Sequence, residues 1–533
     1  MKRSIRHPWT GALLASALAL ASGSAQAQAP SQNLTIGVGG AFNTMDPHFY
    51  NTSPNASLSS HFFEPLVVRD ARAVPRPGLA QSWSRISDTI WEFRLRPGVK
   101  WHDGRDFTAD DVVFTFGRVP NVPNTAGSFA GYIRAVSRIE VVDPLTIRLH
   151  TAAPHPLLLV ELASIFIVSR HAGEGAATED YNSGRAAIGT GPYRLASYDQ
   201  GSRVEMTRND QHWDTPQPWA RVSYRLIGND AARSAALLAG DADVIDQVPS
   251  SDLARLRRDR RVTISEIESL RMIHVAPDWS RRENPIFVSD VAGRPLATNP
   301  FQDRRVRRAL SVAINRAALA ERVMEGTAIP NGQWLPPGLS TYNPDVPVPA
   351  FDPEAAKRLL AEAGFPQGFR LTLHTPNDRY PNDSRVAQAV AQMWSRIGVQ
   401  TTVEALPWAS FSARAARQEF GMRLAGWGST TGEASIALVN VYGTYDREAR
   451  TGSANSSRYS NPTLDALVRR AVSTVDDASR EAMLREAVKL TMEDQASIIL
   501  FQLINFWAVR TGLAYEARMD ERTTAMSVRP AAN

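Results

Sequence analysis

The chain has 533 residues, 43% of them apolar, with 59 basic groups against 54 acidic ones and no cysteine. That length exceeds one ordinary core and predicts two large lobes or three smaller units. The absence of cysteine excludes disulfides, thiolate metal sites and a lipid-bearing N-terminal cysteine, and the near-balance of charge excludes a nucleic-acid-binding surplus.

In chain order, MKRSIRHPWTGALLASALALASGSAQAQA comes first. It opens on Lys2, Arg3 and Arg6, continues through an apolar run from Gly11 to Ala21, and ends in small residues. This is the three-part plan of a secretory signal peptide, with cleavage expected after Ala25-Gln26-Ala27. The run is far short of the roughly 20 residues that span a bilayer. Removing residues 1–27 takes away three cations and leaves a net charge of only +2. Arginine outnumbers lysine by 55 to four, a bias that GC-rich coding explains.

The first strand signal is LTIGV, Leu34 to Val38, followed by a loop rich in Pro, Asn and Ser. IWEFRL from Ile90 alternates faces as a strand does. RPGVKWHDGRDF then turns through Gly98 and Gly104, and ADDVVFTF from Ala109 begins a helix. Thr108 is placed to cap that helix with Asp111 at its third position, and Trp101 is expected to be buried. IEVVDPLTIRLH reads as a hairpin turning at Asp143-Pro144, and GTGPYRLASYDQGSRVEMTRN and ARVSYRLIG as strands. In GTGPY, Gly189 and Gly191 suit a close backbone approach.

After about residue 275 helices alternate with strands, the grammar of an α/β lobe. Asp352 caps a helix that stops at Gly364; Val386, Val390, Met393, Trp394 and Ile397 share one helical face ending at Gly398; Asn461-Pro462 opens a third. Strand-like ASIILFQLINFWAV, 496–509, precedes a polar tail.

Catalytic motifs are missing. The ten histidines form no HExxH pair, no GxSxG elbow occurs, no lysine follows a serine by three, and no GxxxxGK[ST] segment exists. GVGGAF at 37–42 lacks the third glycine of a dinucleotide fingerprint. The glycine-rich GWGSTTGEAS, 426–435, has no lysine behind its glycines, so it is not a phosphate loop. Asp110-Asp111 and Asp476-Asp477 read as helix N-terminal charges. No catalytic residue, metal site or cofactor is called for.

Several segments in combination carry a resemblance. FEPLVVRDARAVPRPGLAQSWSRISDTIWEFRLRPGVKWHDGRDFTADDVVFTF, GTGPYRL, LLAGDADVI, FQDRRVRRALSVAINRAAL, FDPEAAKRLLAEAGF and RIGVQTTVE together resemble the periplasmic solute-binding proteins of the dipeptide/oligopeptide/nickel family (family 5) of ABC importers. The resemblance covers nearly the whole mature chain. It implies an α/β, two-lobed periplasmic-binding-protein clamshell of the class II type with an extra subdomain in lobe I. Lobe I would take 28–274 and 506–533, with the extra subdomain near 62–188, and lobe II 275–505. The hinge would lie near Met272 to Val275 and Asn505 to Val509. It further implies a monomer in the periplasm, without lipid anchor, that delivers a short peptide or similar small polar solute to a membrane permease.

The same resemblance locates candidate ligand residues. TPNDRYPND matches the stretch in which dipeptide-binding relatives hold the ligand carboxylate with an arginine, here Arg379, followed by Tyr380; a guanidinium fork suits that task. MRLAGWGSTTGEAS sits where relatives run from Gly-Trp into aspartates, one of which holds the peptide ammonium. Trp427 is there either as a core aromatic or as a stacking wall, and Thr430, Thr431 and Gly432 fill the acidic stretch. Only Glu433 remains acidic. A buried ammonium without a carboxylate is costly; so either Glu433 supplies the charge, or the ligand is a nickel or other metal chelate, haem or an opine. From lobe I, MDPHFYN offers His48 and Tyr50, of which Tyr50, with ring and hydroxyl, is the better candidate.

Overall fold

The computed structural model describes residues 32–531 apart from 126, 430 and 450. The expected signal peptide and the candidate Thr430 therefore lie outside the described residues.

Twelve strands form one long mixed sheet among the described residues, and two of them carry it from lobe to lobe. Val262–Pro277 and Ile498–Arg510 run antiparallel through the middle of that sheet. On one side, Ile498–Arg510 meets Val244–Ile245, then Asn33–Val38, Arg221–Leu226, Arg203–Arg208 and Tyr193–Asp199. On the other, Val262–Pro277 meets Met422–Gly428, then Arg370–Pro376, which pairs in parallel with Gln400–Leu406. The result is a two-lobed α/β clamshell.

The crossover has a local cause. Glu268 pairs with Ile504 and Met272 with Gln502, so three residues, Ser269 to Arg271, oppose Leu503 alone. Such a bulge bends its strand and re-aims the side chains in it. The freed Ser269 carbonyl accepts the Gln502 amide at 2.7 Å, and Arg271 turns toward the gap between the lobes.

Each lobe has its own core, and both draw on distant chain segments. Leu34, Ile36, Val222 and Val244 pack with Trp507, Val509, Tyr515, Ala525 and Val528. In the other lobe Leu310, Leu373, Val390, Trp394 and Leu424 gather around Phe501 and Val275. A four-stranded antiparallel sheet, Ala80–Ser87, Ile90–Leu95, Thr146–Thr151 and Val136–Asp143, encloses a further core between Leu66 and Ile167.

The sequence-conspicuous motifs are architecture. Trp101 is fully buried and donates its ring N–H to Asp111 at 3.2 Å, while Asp111 and Thr108 form the capping box of the helix Ala109–Arg118. His102 joins two motifs: its Nε2 donates to the Gly191 carbonyl at 3.0 Å and its Nδ1 accepts the Gly189 N–H at 3.2 Å. A Cβ on Gly189 would stand 1.7 Å from the Phe62 carbonyl oxygen, and one on Gly191 2.7 Å from it. Both glycines therefore exist for backbone contact, as their spacing predicts, and the backbone they approach is Phe62. His48 likewise serves the fold: its Nε2 donates to the Phe166 carbonyl at 2.8 Å and its Nδ1 accepts from Arg118, whose fork also grips Asp46.

The helices start and stop where their caps predict. Asp352 accepts the Ala355 N–H and the helix Pro353–Glu362 follows; Asn461 caps Pro462–Val472; Asp476 caps Asp477–Glu493. The tail is the departure. Instead of trailing as a polar end, residues 513–530 form a small hairpin, Leu513–Tyr515 with Val528–Pro530, and the residues between reach the gap between the lobes.

Candidate functional site

Two chambers occupy the gap, and a single ion pair stands between them. The larger, about 610 Å³, lies between the Gly39, Asp246 and Ser250 loops of one lobe and the Asp378–Asn382 loop of the other. The smaller, about 100 Å³, lies toward Arg69 and Tyr132. Arg271 and Glu521 line both. Arg271 Nε and Nη2 reach the two carboxylate oxygens at 2.8 and 3.1 Å, and the Ser269 hydroxyl adds a third bond. Burial opposes both charges, yet their attraction outweighs it: Arg271 is raised and Glu521 held below the usual carboxylate range. Glu521 adopts a φ of +63°, uncommon for a residue with a Cβ, and this double-pronged bond holds it there.

Arg379 and Tyr380 line the larger chamber. Their loop is tied down by Asp383, whose Oδ2 accepts both backbone N–H groups at 3.2 and 3.1 Å. Tyr380 is buried and donates its hydroxyl to the Gly426 carbonyl at 3.2 Å. The Arg379 guanidinium lies 5.3 Å from the Tyr380 ring centre and 5.4 Å from that of Trp408. It is solvent-accessible, and among the described residues it makes no hydrogen bond or ion pair. The surrounding protein and then the neighbouring Arg271 charge hold it below the usual arginine range, while Tyr380, Glu521 and Tyr50 act the other way. Tyr50, expected to face the ligand, lines neither chamber; its backbone bridges Gly127, and a Cβ on that glycine would stand 3.1 Å from its ring.

GWGSTTGEAS can now be resolved residue by residue. A Cβ on Gly426 would stand 2.8 Å from the Tyr380 ring, and one on Gly428 3.2 Å from the Arg271 guanidinium. Those glycines admit two cleft side chains rather than a phosphate. Trp427, on the other face of the strand, packs against the core that includes Met272, Leu438 and Tyr442, and its buried ring N–H has no partner among the described residues. Ser429 and Thr431 bond within the turn: both hydroxyls face the Glu433 carbonyl, and the Glu433 N–H donates to Thr431.

Glu433 differs from its expected role as the cleft acid. Its carboxylate is buried, 3.5 Å from Arg480 Nε on the helix Asp477–Glu493, and it lines neither chamber. Burial raises its pKa and Arg480 works against that rise. The acids that do line the chambers are engaged to different degrees. Asp246 accepts from the Gly39 N–H and the Thr523 hydroxyl, Asp230 pairs with Arg233, Asp378 accepts the Trp408 N–H, and Asp520 is held by Arg518. Among the described residues the chambers are rich in cationic donors, and Asp378, exposed and holding only that one backbone N–H, is the acid left open to solute.

The tail residues Asp520, Glu521 and Arg522 carry no motif, and reading the sequence missed them together with Arg271. Their only signal is charge density in a segment otherwise judged solvated.

A two-lobed α/β clamshell with a charged gap between its lobes is the build of a solute-binding protein. The chain belongs to the bacterial extracellular solute-binding proteins of family 5, whose middle-region model matches residues 74–449. It is 29% identical to heme-binding protein A of Haemophilus influenzae over 464 residues, 82% of this chain and 80% of that one. It is 28% identical to the dipeptide-binding protein of Escherichia coli over 452 residues, 80% of each. Its fold matches that of HbpA2 from Haemophilus parasuis with a TM-score of 0.79 at 24% identity, covering 94% of this chain and all of the other.

Proposed function

We propose that the protein is the periplasmic capture component of an ABC importer, taking a short peptide or similar small polar solute by a carboxylate at Arg379. The observation that carries this reading is a guanidinium without a protein partner, facing a solute-sized chamber between two lobes. A carboxylate there gains two parallel charge-assisted hydrogen bonds, from a guanidinium flanked by the Tyr380 and Trp408 rings. Lobe closure about the Ser269–Arg271 bulge then presents a changed surface to a permease. The protein acts as a monomer, delivered by its cleaved leader.

A second reading, a metal chelate, haem or an opine, is favoured by the burial of Glu433 beside Arg480 outside both chambers, which leaves Asp378 rather than the expected acid to meet an ammonium. A thermal-unfolding screen of the mature protein separates the two. Di- and tripeptides, nickel with histidine, haem and simple opines are compared, since a ligand at about 100 times its Kd adds roughly 2.7 kcal/mol of stability. On the best carboxylate ligand, Arg379→Ala weakens binding more than tenfold with the fold intact; unchanged affinity removes Arg379 from the site.

A further inference from the structure

Behind the Arg271–Glu521 pair, the smaller chamber holds positive charge that the protein does not neutralise. Four guanidiniums, Arg69, Arg271, Arg518 and Arg522, gather there around two carboxylates. Both carboxylates are already gripped by forks, Glu521 by Arg271 and Asp520 by Arg518, whose Nε and Nη2 each lie 2.9 Å from one of its oxygens. Arg69 and Arg522 are left over. Arg69, which lines the chamber and is only 9% exposed, donates to the Ser164 hydroxyl at 3.2 Å while its buried Nε has no partner among the described residues. Among the described residues no carboxylate lies within 4 Å of it. Arg522 comes within 3.7 Å of Asp520, beyond hydrogen-bonding reach.

Two arginines that brace this fold look different. Arg233 gives its donors to the carbonyls of Asp246, Ile227 and Gln247 and to Asp230, and Arg316 bonds the Ile499 and Ser311 carbonyls and the Ser311 hydroxyl. Their forks are filled by backbone, whereas those of Arg69 and Arg522 are not. Burial, and then the charge of Arg69, push the Arg522 guanidinium down to about 10. Two crowded, under-bonded cations in a polar hollow form a receptor for an anion. The chamber of about 100 Å³ has room for a carboxylate or phosphate group, since roughly 10–15 Å³ on this measure holds one water.

We propose that this chamber is a second anion subsite, so that the preferred solute carries two acidic groups, one at Arg379 and one at Arg69 and Arg522, straddling the Arg271–Glu521 pair. This rests on the assignment of the first carboxylate to Arg379. The oxyanion is a carboxylate or a phosphate, and the test separates them.

Calorimetric titration of the mature protein with Ala-Gln, Ala-Glu and Ala-phosphoserine measures the value of the second acid against its neutral counterpart. At least tenfold tighter binding of Ala-Glu or Ala-phosphoserine than of Ala-Gln is expected, the tighter of the two naming the oxyanion. Arg69→Gln brings that ratio toward one, Arg69→Lys restores part of it, and Arg522→Gln repeats the result should Arg69→Gln fold poorly. A ratio near one in the wild type, or one that survives both glutamine variants, overturns the subsite. Arg379→Ala weakens all three peptides alike; if it does not, the first assignment fails separately. Should no peptide bind, sulfate titrated against chloride at matched ionic strength decides. Saturable stabilisation lost in Arg69→Gln supports the subsite, and the same response in both proteins overturns it.

Discussion

Two regions of the molecule invert the usual link between a conspicuous sequence and a functional place. The WHDG and GTGPY segments are full of glycine, histidine and tryptophan, and they spend all of it on holding loops of one lobe together through His102 and Phe62. The tail RMDERT looks like solvated charge, and it supplies Asp520, Glu521 and Arg522 to the gap between the lobes. Special backbone geometry leaves a local trace, because only certain residue types permit it. A binding surface assembled from distant segments leaves almost none.

The largest test of this contrast is acid. His48, His61 and His102 are buried with both ring nitrogens engaged, and burial lowers each to about 4. In the unfolded chain they take a proton near 6.5. Their contribution is therefore complete above pH 6.5 and lost progressively as pH falls toward 4, on the order of 1–2 kcal/mol each by pH 5. Urea unfolding at pH 7, 6 and 5 measures this. A midpoint that does not move would show these imidazoles accept protons in the native fold, and the architectural role of their motifs would be lost.

A smaller effect is expected from Gly189→Ala, which must push the Phe62 backbone aside. It should cost about 3 kcal/mol in a denaturant melt while the protein that remains folded binds with unchanged Kd. Altered affinity at wild-type stability would move GTGPY from the scaffold to the site. The smallest concerns Glu433→Gln: with its partner Arg480 remote from both chambers, it should change the Kd of any ligand less than twofold. Selective loss of amine-bearing ligands would instead bring Glu433 into the cleft.

The α/β class, the caps at Thr108, Asp352 and Asn461, and the hairpin at Asp143-Pro144 were legible because each depends on neighbours a few residues away. Arg379 and Tyr380 were reached through resemblance, and they do line a chamber. GWGSTTGEAS resisted because its glycines answer side chains far off in the chain: Tyr380 for Gly426 and Arg271 for Gly428. Glu433 was singled out as the last acid in its stretch, and nothing local announces that Arg480, 47 positions on, neutralises it. Arg271 was hidden for a related reason, since a bulge is a disagreement between two strands and neither strand records it alone.

The return of the chain at Ile498–Arg510 also sets an order of assembly. Trp507, Val509, Tyr515, Ala525 and Val528 complete the core that Leu34 and Ile36 begin. The first lobe to be synthesised therefore stays open until the last thirty or so residues arrive. The same final strand and tail thus complete both that core and one wall of the gap between the lobes.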